Sequence, residues 1–301
     1  MDAKQLEALV REVLRSMNAD GADPASGGAA SSGAASAGRR PLPRTDGPST
    51  APAYCKPRQA RPVLPFSEPE LARIKAASPA RLAQGRAGTR YPTDRYIGLR
   101  AEHAIALDAV HSVLPAGFED ELGCIALDSA ATDHDDYLLY PDHGRRLSDD
   151  SRKVLEAQGT RGADVQIICG DGLSAWALIA NGPELLPALV RELGAAGFSV
   201  GKPLLARRAR VGIQDEIGVT LQAKATVILV GERPGLGTGD SLSIYTAFAP
   251  KLGQDNAEKD CISNIRPLGI PTDEAAKECA DLLKRTFAAG GGGVHLTRSG
   301  T

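Results

Sequence analysis

The stretch ATVILVGERPGLGTGDSLSIY, residues 225–245, decides the fold class that this sequence predicts. It begins with a largely apolar run typical of a fully buried strand in a parallel sheet, and a glycine-rich loop follows at once. A glycine-rich turn directly after a strand commonly holds a phosphate group. The stretch therefore raises the question of whether Glu232, Arg233 and the glycines bind a nucleotide or another ligand.

The loop lacks both common phosphate-binding patterns. A P-loop needs a lysine that reaches the phosphates, and residues 231–239 contain none. A dinucleotide fingerprint needs three glycines at fixed intervals at the start of a helix, and GLGTGDS has the wrong third interval. Glu232 would repel a phosphate but readily accepts hydrogen bonds from neutral amide groups. The loop therefore favours a ligand rich in N–H donors, or an acidic partner for Arg233.

The segments around this strand alternate between strand and helix patterns. GCIALDSA, DVQIICG and KPLLARRARVGI are typical of strands, whereas PELLPALVRELGAAG, QDEIGVTLQA and PTDEAAKECADLLKRTFAA are typical of helices. Such alternation produces parallel β–α–β units. The sequence therefore predicts an α/β domain over residues 116–301, with a Rossmann-like, mostly parallel sheet flanked by helices.

Three polar, glycine-containing loops follow the predicted strands, at residues 170–175, 207–218 and 231–243. In open α/β sheets, ligands bind outside the carboxyl ends of the strands. Ordinary turn chemistry would explain any one of these loops. Three in succession predict a binding surface at one edge of the sheet.

Other catalytic and metal-binding patterns are weak. Asp171 and Ser174 lie in DGLSAW without a nucleophile elbow or an evident histidine partner. Residues 133–146 are rich in Asp and His but match no standard metal-ligand spacing, which favours a solvated or capping loop. His103 and His111 are eight residues apart and are expected on a helix surface. We therefore expect no catalytic group and no metal ligand in this chain.

Composition narrows the possible partners and the compartment. The 35 basic and 37 acidic residues nearly balance, which disfavours nucleic acid as a partner. No apolar run approaches the roughly 20 residues of a membrane helix, so we expect no membrane contact. The cysteines form no C-x-x-C pair and indicate reduced thiols and a cytoplasmic location; they are Cys55, Cys124, Cys169, Cys261 and Cys279.

The N-terminal part of the sequence divides into three predicted regions. Residues 66–115 are expected to form a small helical subdomain, whose first helix has the capping-box residues Ser67 and Glu70. Residues 18–65 are dominated by Ala, Gly, Ser and Pro and indicate a flexible, disordered linker. Residues 1–17 predict an amphipathic helix that either docks on its own domain or acts as a tag for another protein. Its apolar stripe contains Leu6, Leu9, Val10, Val13, Leu14 and Met17.

Several motifs together resemble one enzyme family. They are GRAGTR, PDHGRRL, DGLSA, RVGIQDEIG, VGERPGLGTGDSLSIY and CISNIRPLGIPTDEAA. From about residue 60 to the C-terminus, the sequence resembles the small (light) subunit of ethanolamine ammonia-lyase. The resemblance implies an adenosylcobalamin-dependent enzyme that converts ethanolamine to acetaldehyde and ammonia. A separate large subunit, a TIM barrel, would carry the substrate site, and this chain would help to bind the corrin at the subunit interface.

The resemblance also implies three cofactor-binding residues, which are Val211, Glu232 and Cys261. The corrin rim carries primary carboxamides, whose N–H groups suit the Glu232 acceptor. The D-x-H-x-x-G motif is absent, so the implied cofactor keeps its own base on cobalt. One departure from the family pattern is a slightly shorter segment between Tyr245 and Cys261.

Two further hypotheses remain open from the sequence. The chain could chiefly scaffold assembly, with residues 1–17 recruiting the enzyme to the shell of a bacterial microcompartment. It could instead be a stand-alone nucleotide-binding α/β protein.

Overall fold

The computed structural model describes residues 67–77 and 80–299. The predictions made for residues 1–17 and 18–65 therefore lie outside the described residues. The helices are α1 (Glu68–Ala76), α2 (Thr93–Val110), α3 (Phe118–Glu121), α4 (His134–Leu139), α5 (Asp149–Gln158), α6 (Ala175–Ala195), α7 (Ile213–Leu221), α8 (Thr272–Ala289) and α9 (Val294–Ser299). The strands are β1 (Ile125–Asp128), β2 (Val165–Gly170), β3 (Leu204–Arg207), β4 (Ala225–Gly231), β5 (Leu242–Phe248) and β6 (Lys259–Ile265). Two 3₁₀ turns span His143–Arg145 and Asn256–Glu258.

The strands form one six-stranded sheet in the order β1-β3-β2-β4-β5-β6. The first four strands in this order are parallel, whereas β5 runs antiparallel to both β4 and β6. Helices α5, α6 and α7 connect the parallel strands. The predicted fold class, a mostly parallel α/β sheet flanked by helices, is confirmed.

Helices and their apolar side chains cover both faces of the sheet. Strands β2 and β4 are therefore buried at every residue. On one face, Ile167 and Leu229 pack with α6 and α8. On the other, Ile168 and Ile228 pack with α5 and α7. Successive strand residues point to opposite faces, so a strand that is buried at every residue requires helices on both sides.

The region before the sheet contains the two predicted helices. At the start of α1, the Glu70 carboxylate accepts hydrogen bonds from the backbone N–H of Ser67 at 2.9 Å and from its hydroxyl at 2.7 Å. The predicted capping box is therefore present. Helix α2 ends at Val110 and contacts α6. The assignment of residues 66–115 as a separate subdomain stays a prediction.

Two details differ from the sequence-based expectation. The predicted strand KPLLARRARVGI is limited to Leu204–Arg207, because Arg208 adopts a left-handed conformation with φ 53° that ends the strand. Strands β5 and β6 were not anticipated, and they extend the sheet by an antiparallel pair. In the described parts of the chain, no helix has the length and apolar character that a membrane span requires.

Candidate functional site

Asp171 joins the first two predicted loops at the carboxyl edge of the sheet. It follows β2, and its carboxylate accepts hydrogen bonds from the backbone N–H groups of Arg208, at 2.7 Å, and Ala209, at 2.9 Å, directly after β3. Burial raises the pKa of Asp171, although these two N–H groups and that of Gly172 favour the ionised form. The side chain therefore fixes the loop that leads to Val211.

The third loop is held against the first by close backbone packing. A Cβ atom at Gly172 would lie 2.3 Å from the Gly231 carbonyl oxygen, and one at Gly231 would lie 2.1 Å from the Ser174 carbonyl oxygen. The backbone N–H of Leu173 also donates to the Gly231 carbonyl at 3.0 Å. These two glycines thus let two loops approach each other.

The three loops enclose a cavity of about 470 Å³. Its wall includes Val211 and Glu232, two of the three residues implied by the family resemblance. The exposed Arg233 lies at its rim, and Tyr245 and Ser263 contribute from β5 and β6. The predicted convergence of the strand-end loops is therefore present, and it forms a concave surface that combines apolar and polar groups.

Glu232 is held by the two antiparallel strands. Its Oε1 atom accepts hydrogen bonds from the Ser243 hydroxyl at 2.6 Å and from the backbone N–H of Asn264 at 2.8 Å. Both bonds end on Oε1, and Oε2 accepts none from the described residues. The carboxylate is therefore fixed in place with one oxygen left to accept from a ligand.

The Asn264 bond depends on a β-bulge in β6. Leu242 pairs with Ile265, and Ile244 pairs with Ile262, so two residues of β6 oppose one residue of β5. Asn264, one of the two, has φ 61°. The bulge removes the Asn264 N–H from the regular hydrogen-bond ladder between β5 and β6 and directs it to Glu232.

Cys261 lies beside the cavity rather than in its wall. It is exposed on β6 and pairs across the sheet with Tyr245, whose hydroxyl interacts with the thiol. Burial, followed by the contact with Cys261, raises the pKa of Tyr245 to about 12. Burial also raises the pKa of the Cys261 thiol. Both groups are therefore neutral at physiological pH, and Cys261 reaches the site through Tyr245.

Arg210 and Tyr137 are site residues that the sequence analysis missed. The Arg210 guanidinium lies 4.4 Å from the centre of the Tyr137 ring and donates to the Tyr137 carbonyl at 2.9 Å. Both side chains line the cavity. The two residues are far apart in the sequence, and no local pattern indicates that they meet.

A larger cavity of about 850 Å³ adjoins the first and shares Arg210 and Val211 with it. Its wall contains a buried ion pair in which Lys259 Nζ lies 2.9 and 3.0 Å from the two carboxylate oxygens of Asp215. Burial raises the pKa of Asp215, and Lys259 opposes this effect. The pair joins β6 to α7, whose N-terminal end borders both cavities.

The Asp- and His-rich segment serves local structure, as predicted. Asp133 caps α4 by accepting from the backbone N–H of Asp136 at 2.8 Å. The Asp136 carboxylate in turn lies 2.9 Å from His143 Nδ1, and this contact lowers the pKa of Asp136. Within the described residues, no three His, Cys, Asp or Glu side chains cluster as a metal site.

These features define a class of protein: an α/β protein with a Rossmann-like sheet and a cavity at the carboxyl ends of its parallel strands. The model of the family described as "Ethanolamine ammonia-lyase light chain (EutC)" matches residues 68–297. The chain is also 38% identical over 234 residues to the ethanolamine ammonia-lyase small subunit of Clostridium acetobutylicum, covering 78% of this chain and 97% of that relative. The chain therefore belongs to the ethanolamine ammonia-lyase light-chain family, the small subunits of a lyase.

Proposed function

We propose that this chain acts with a large subunit to convert ethanolamine to acetaldehyde and ammonia, and that it helps to bind adenosylcobalamin at the subunit interface. Membership of the small-subunit family supports the reaction and the partner. The observation that carries the cofactor role is the fixed Glu232 carboxylate, which faces a cavity with one oxygen available. Val211, Glu232 and Cys261 remain the proposed cofactor-binding residues.

The residues at the cavity fit the chemistry of a corrin rim. Primary carboxamides on the rim offer N–H donors, and a carboxylate acceptor forms charge-assisted hydrogen bonds with them. Carboxamides also carry carbonyl acceptors. Arg233 is exposed and lines the cavity, so its guanidinium offers N–H donors to these carbonyls. Val211 adds an apolar side chain to the cavity wall. The site therefore offers both a carboxylate acceptor and side-chain donors to the same kind of group.

When bound, adenosylcobalamin supplies the radical chemistry through homolysis of its cobalt–carbon bond. The residues of this chain would orient the corrin and exclude water. Ser243 and Asn264 keep Glu232 in position, and Asp171 keeps the Val211 loop in position. We assign no acid, base or nucleophile of the reaction to this chain, which has no D-x-H-x-x-G histidine that would replace the cofactor's own base.

The Glu232→Gln substitution tests the cofactor role. It keeps a carbonyl oxygen for Ser243 and Asn264 but removes the charge, so we expect the dissociation constant of adenosylcobalamin to rise roughly ten-fold. Spectrophotometric titration of the assembled two-subunit complex measures this constant. Glu156→Gln, an exposed residue of α5, is the matched control and should leave the constant unchanged.

Titrating the same complex with NAD and ATP separates the proposal from the nucleotide-binding hypothesis. Saturable nucleotide binding without any response to cobalamin would contradict the proposed function. An unchanged cobalamin constant in Glu232→Gln would contradict the role of Glu232 alone.

We further propose that the enzyme acts in the cytoplasm in ethanolamine degradation, and that residues 1–17 recruit it to a microcompartment shell. The support is the apolar stripe of that segment and the long linker behind it. Deletion of residues 1–17 should leave turnover with the large subunit unchanged and alter the distribution of the enzyme in cells, observed by fluorescence microscopy. Loss of turnover would contradict a recruitment role.

A further inference from the structure

Helix α2 presents an apolar stripe to solvent. Ile97, Ala101, Ala104 and Ile105 lie along one side of the helix and are all exposed, with exposed fractions of 61% for Ile97 and 44% for Ile105. The exposed Asp94 and Asp108 lie at the two ends of this stripe, and the opposite side of the helix carries the half-buried Leu99, Ala106 and Val110. A surface helix usually places its polar residues outside, and a helix that is apolar on both sides is usually covered on both. The outer stripe of α2 therefore indicates a missing partner.

This stripe adjoins the loop that carries Glu232. The loop continues into a turn in which the backbone N–H of Thr238 donates to the Gly235 carbonyl at 3.1 Å. A Cβ atom at Gly237 in this turn would lie 3.6 Å from Glu102 Cγ on α2. At the turn, Leu236 is 43% exposed. The helix and the cavity loop therefore contact each other at the same edge of the sheet.

A second contact extends the apolar surface from α2 to α6. A Cβ atom at Gly239 would lie 2.8 Å from Ala109 Cβ and 3.2 Å from the Trp176 ring. Trp176, at the start of α6, is 41% exposed, and its backbone N–H donates to the Ser112 hydroxyl at 3.2 Å. We call the surface formed by Ile97, Ala101, Ala104, Ile105, Trp176 and Leu236 the α2 face. Exposed apolar surface of this kind is typical of a protein interface.

We propose that the α2 face is a docking surface for the large subunit of the enzyme, through an apolar, sparsely charged patch on that subunit. This inference rests on the proposed function, which places the cofactor cavity at the subunit interface. A partner that closes over Glu232 must also pass over the turn containing Leu236, and this turn leads directly to α2. The family of the chain supplies the partner, since a small subunit acts with a larger one.

The test is a binding measurement between the full-length chain and the purified large subunit from the same organism, without added cofactor. In the double variant Ile97→Asp/Ile105→Asp, docking would bury two carboxylates in apolar surroundings, so the dissociation constant should rise roughly ten-fold or more. Val219→Asp is the matched control. Val219 is 41% exposed near the C-terminal end of α7, at the opposite edge of the sheet, and the variant should bind like the wild type.

Unchanged binding by a folded double variant would overturn the proposal. Dissociation of a small-subunit homodimer by the double substitution, with large-subunit binding unaffected, would also overturn it by showing that a second copy covers the face. A photo-crosslinker at position 97 of the otherwise wild-type chain provides a test that does not depend on the folding of the variant. Crosslinking to the large subunit supports the proposal, and crosslinking only to residues 1–17 or to a second copy overturns it.

Because this experiment contains no cofactor, its outcome is independent of cobalamin affinity. Glu232→Gln should bind the large subunit normally and lose only cofactor affinity. A result in which the α2 variant fails to dock while Glu232→Gln retains full cobalamin affinity would support the docking surface and contradict the role of Glu232.

Discussion

Each of the two edges of the parallel sheet has an aspartate that accepts hydrogen bonds from a neighbouring loop, but the two aspartates lie in different surroundings. At the amino edge, Asp164 precedes β2 and accepts from the backbone N–H and hydroxyl of Ser199 at 2.9 and 2.7 Å, with Lys224 Nζ at 2.8 Å. At the carboxyl edge, Asp171 follows β2 and accepts from backbone N–H groups after β3.

The electrostatic consequences are opposite. Lys224 and Ser199 lower the pKa of Asp164 to about 2, whereas burial raises the pKa of Asp171. At the amino edge, an ion pair near solvent neutralises the carboxylate. At the carboxyl edge, the carboxylate depends mainly on backbone donors, and the loops that it fixes border a cavity. The comparison indicates that the amino edge serves stability, while the carboxyl edge combines stability with a binding site.

The largest expected difference between the edges comes from two glycines. Gly172 and Gly162 both have left-handed backbones, with φ 62° and 73°, but a Cβ atom would meet backbone at Gly172 and open space at Gly162. Gly162→Ala should lower the free energy of unfolding by about 1 kcal/mol, because alanine disfavours this backbone conformation. Gly172→Ala should cost roughly 3 kcal/mol or more because two loops must separate. Urea denaturation measures the free energy of unfolding of both variants. Equal losses of this free energy would contradict the close approach of the loops at the carboxyl edge.

The next largest difference concerns the two carboxylates. Asp171→Asn turns an amide N–H₂ group toward a backbone donor and should lower the free energy of unfolding by about 2 kcal/mol. Asp164→Asn keeps an acceptor for Ser199 and loses the partly exposed ion pair, so about 1 kcal/mol is expected. Matched urea denaturation curves at pH 7 provide the comparison. If Asp164→Asn lowered the free energy of unfolding more than Asp171→Asn does, the roles assigned to the two edges would be contradicted.

The smallest expected effect is the pH dependence of these two losses. The pKa of Asp164 is lower in the folded chain than its ordinary value of 3.8, so its stabilisation is present above pH 3.8 and is lost as the pH falls towards about 2. The folded pKa of Asp171 is raised, so ionisation opposes folding and this residue loses stabilisation as the pH rises above 3.8. The difference in the free energy of unfolding between wild type and variant should therefore grow with rising pH for Asp164→Asn and shrink for Asp171→Asn. If both differences changed in the same direction with pH, the opposite pKa shifts of Asp164 and Asp171 would be contradicted.

Much of the parallel sheet could be predicted from the sequence because β2 and β4 are continuous buried runs. The convergence of the three loops followed from the rule that ligands bind at the carboxyl ends of strands. Strand β6 could not be predicted in this way. Cys261, Ser263 and Asn264 are exposed and the bulge interrupts the alternation, so the pattern resembles a loop.

The candidate site was predictable only in part. The chemistry of Glu232 indicated an acceptor for a donor-rich ligand, and the family resemblance added Val211 and Cys261. The partners that fix the site, Ser243 and Arg210, gave no signal because their contacts depend on tertiary structure rather than on local spacing.

The β-bulge in β6 also bears on which changes in chain length the protein tolerates. The connection between β5 and β6 turns at the amino edge, whereas Glu232 and Asn264 meet at the carboxyl edge. Because the bulge fixes the register of β6, residues can be gained or lost in the connection without moving Asn264 away from Glu232. The segment between Tyr245 and Cys261 can therefore change in length while the carboxylate of Glu232 keeps its position.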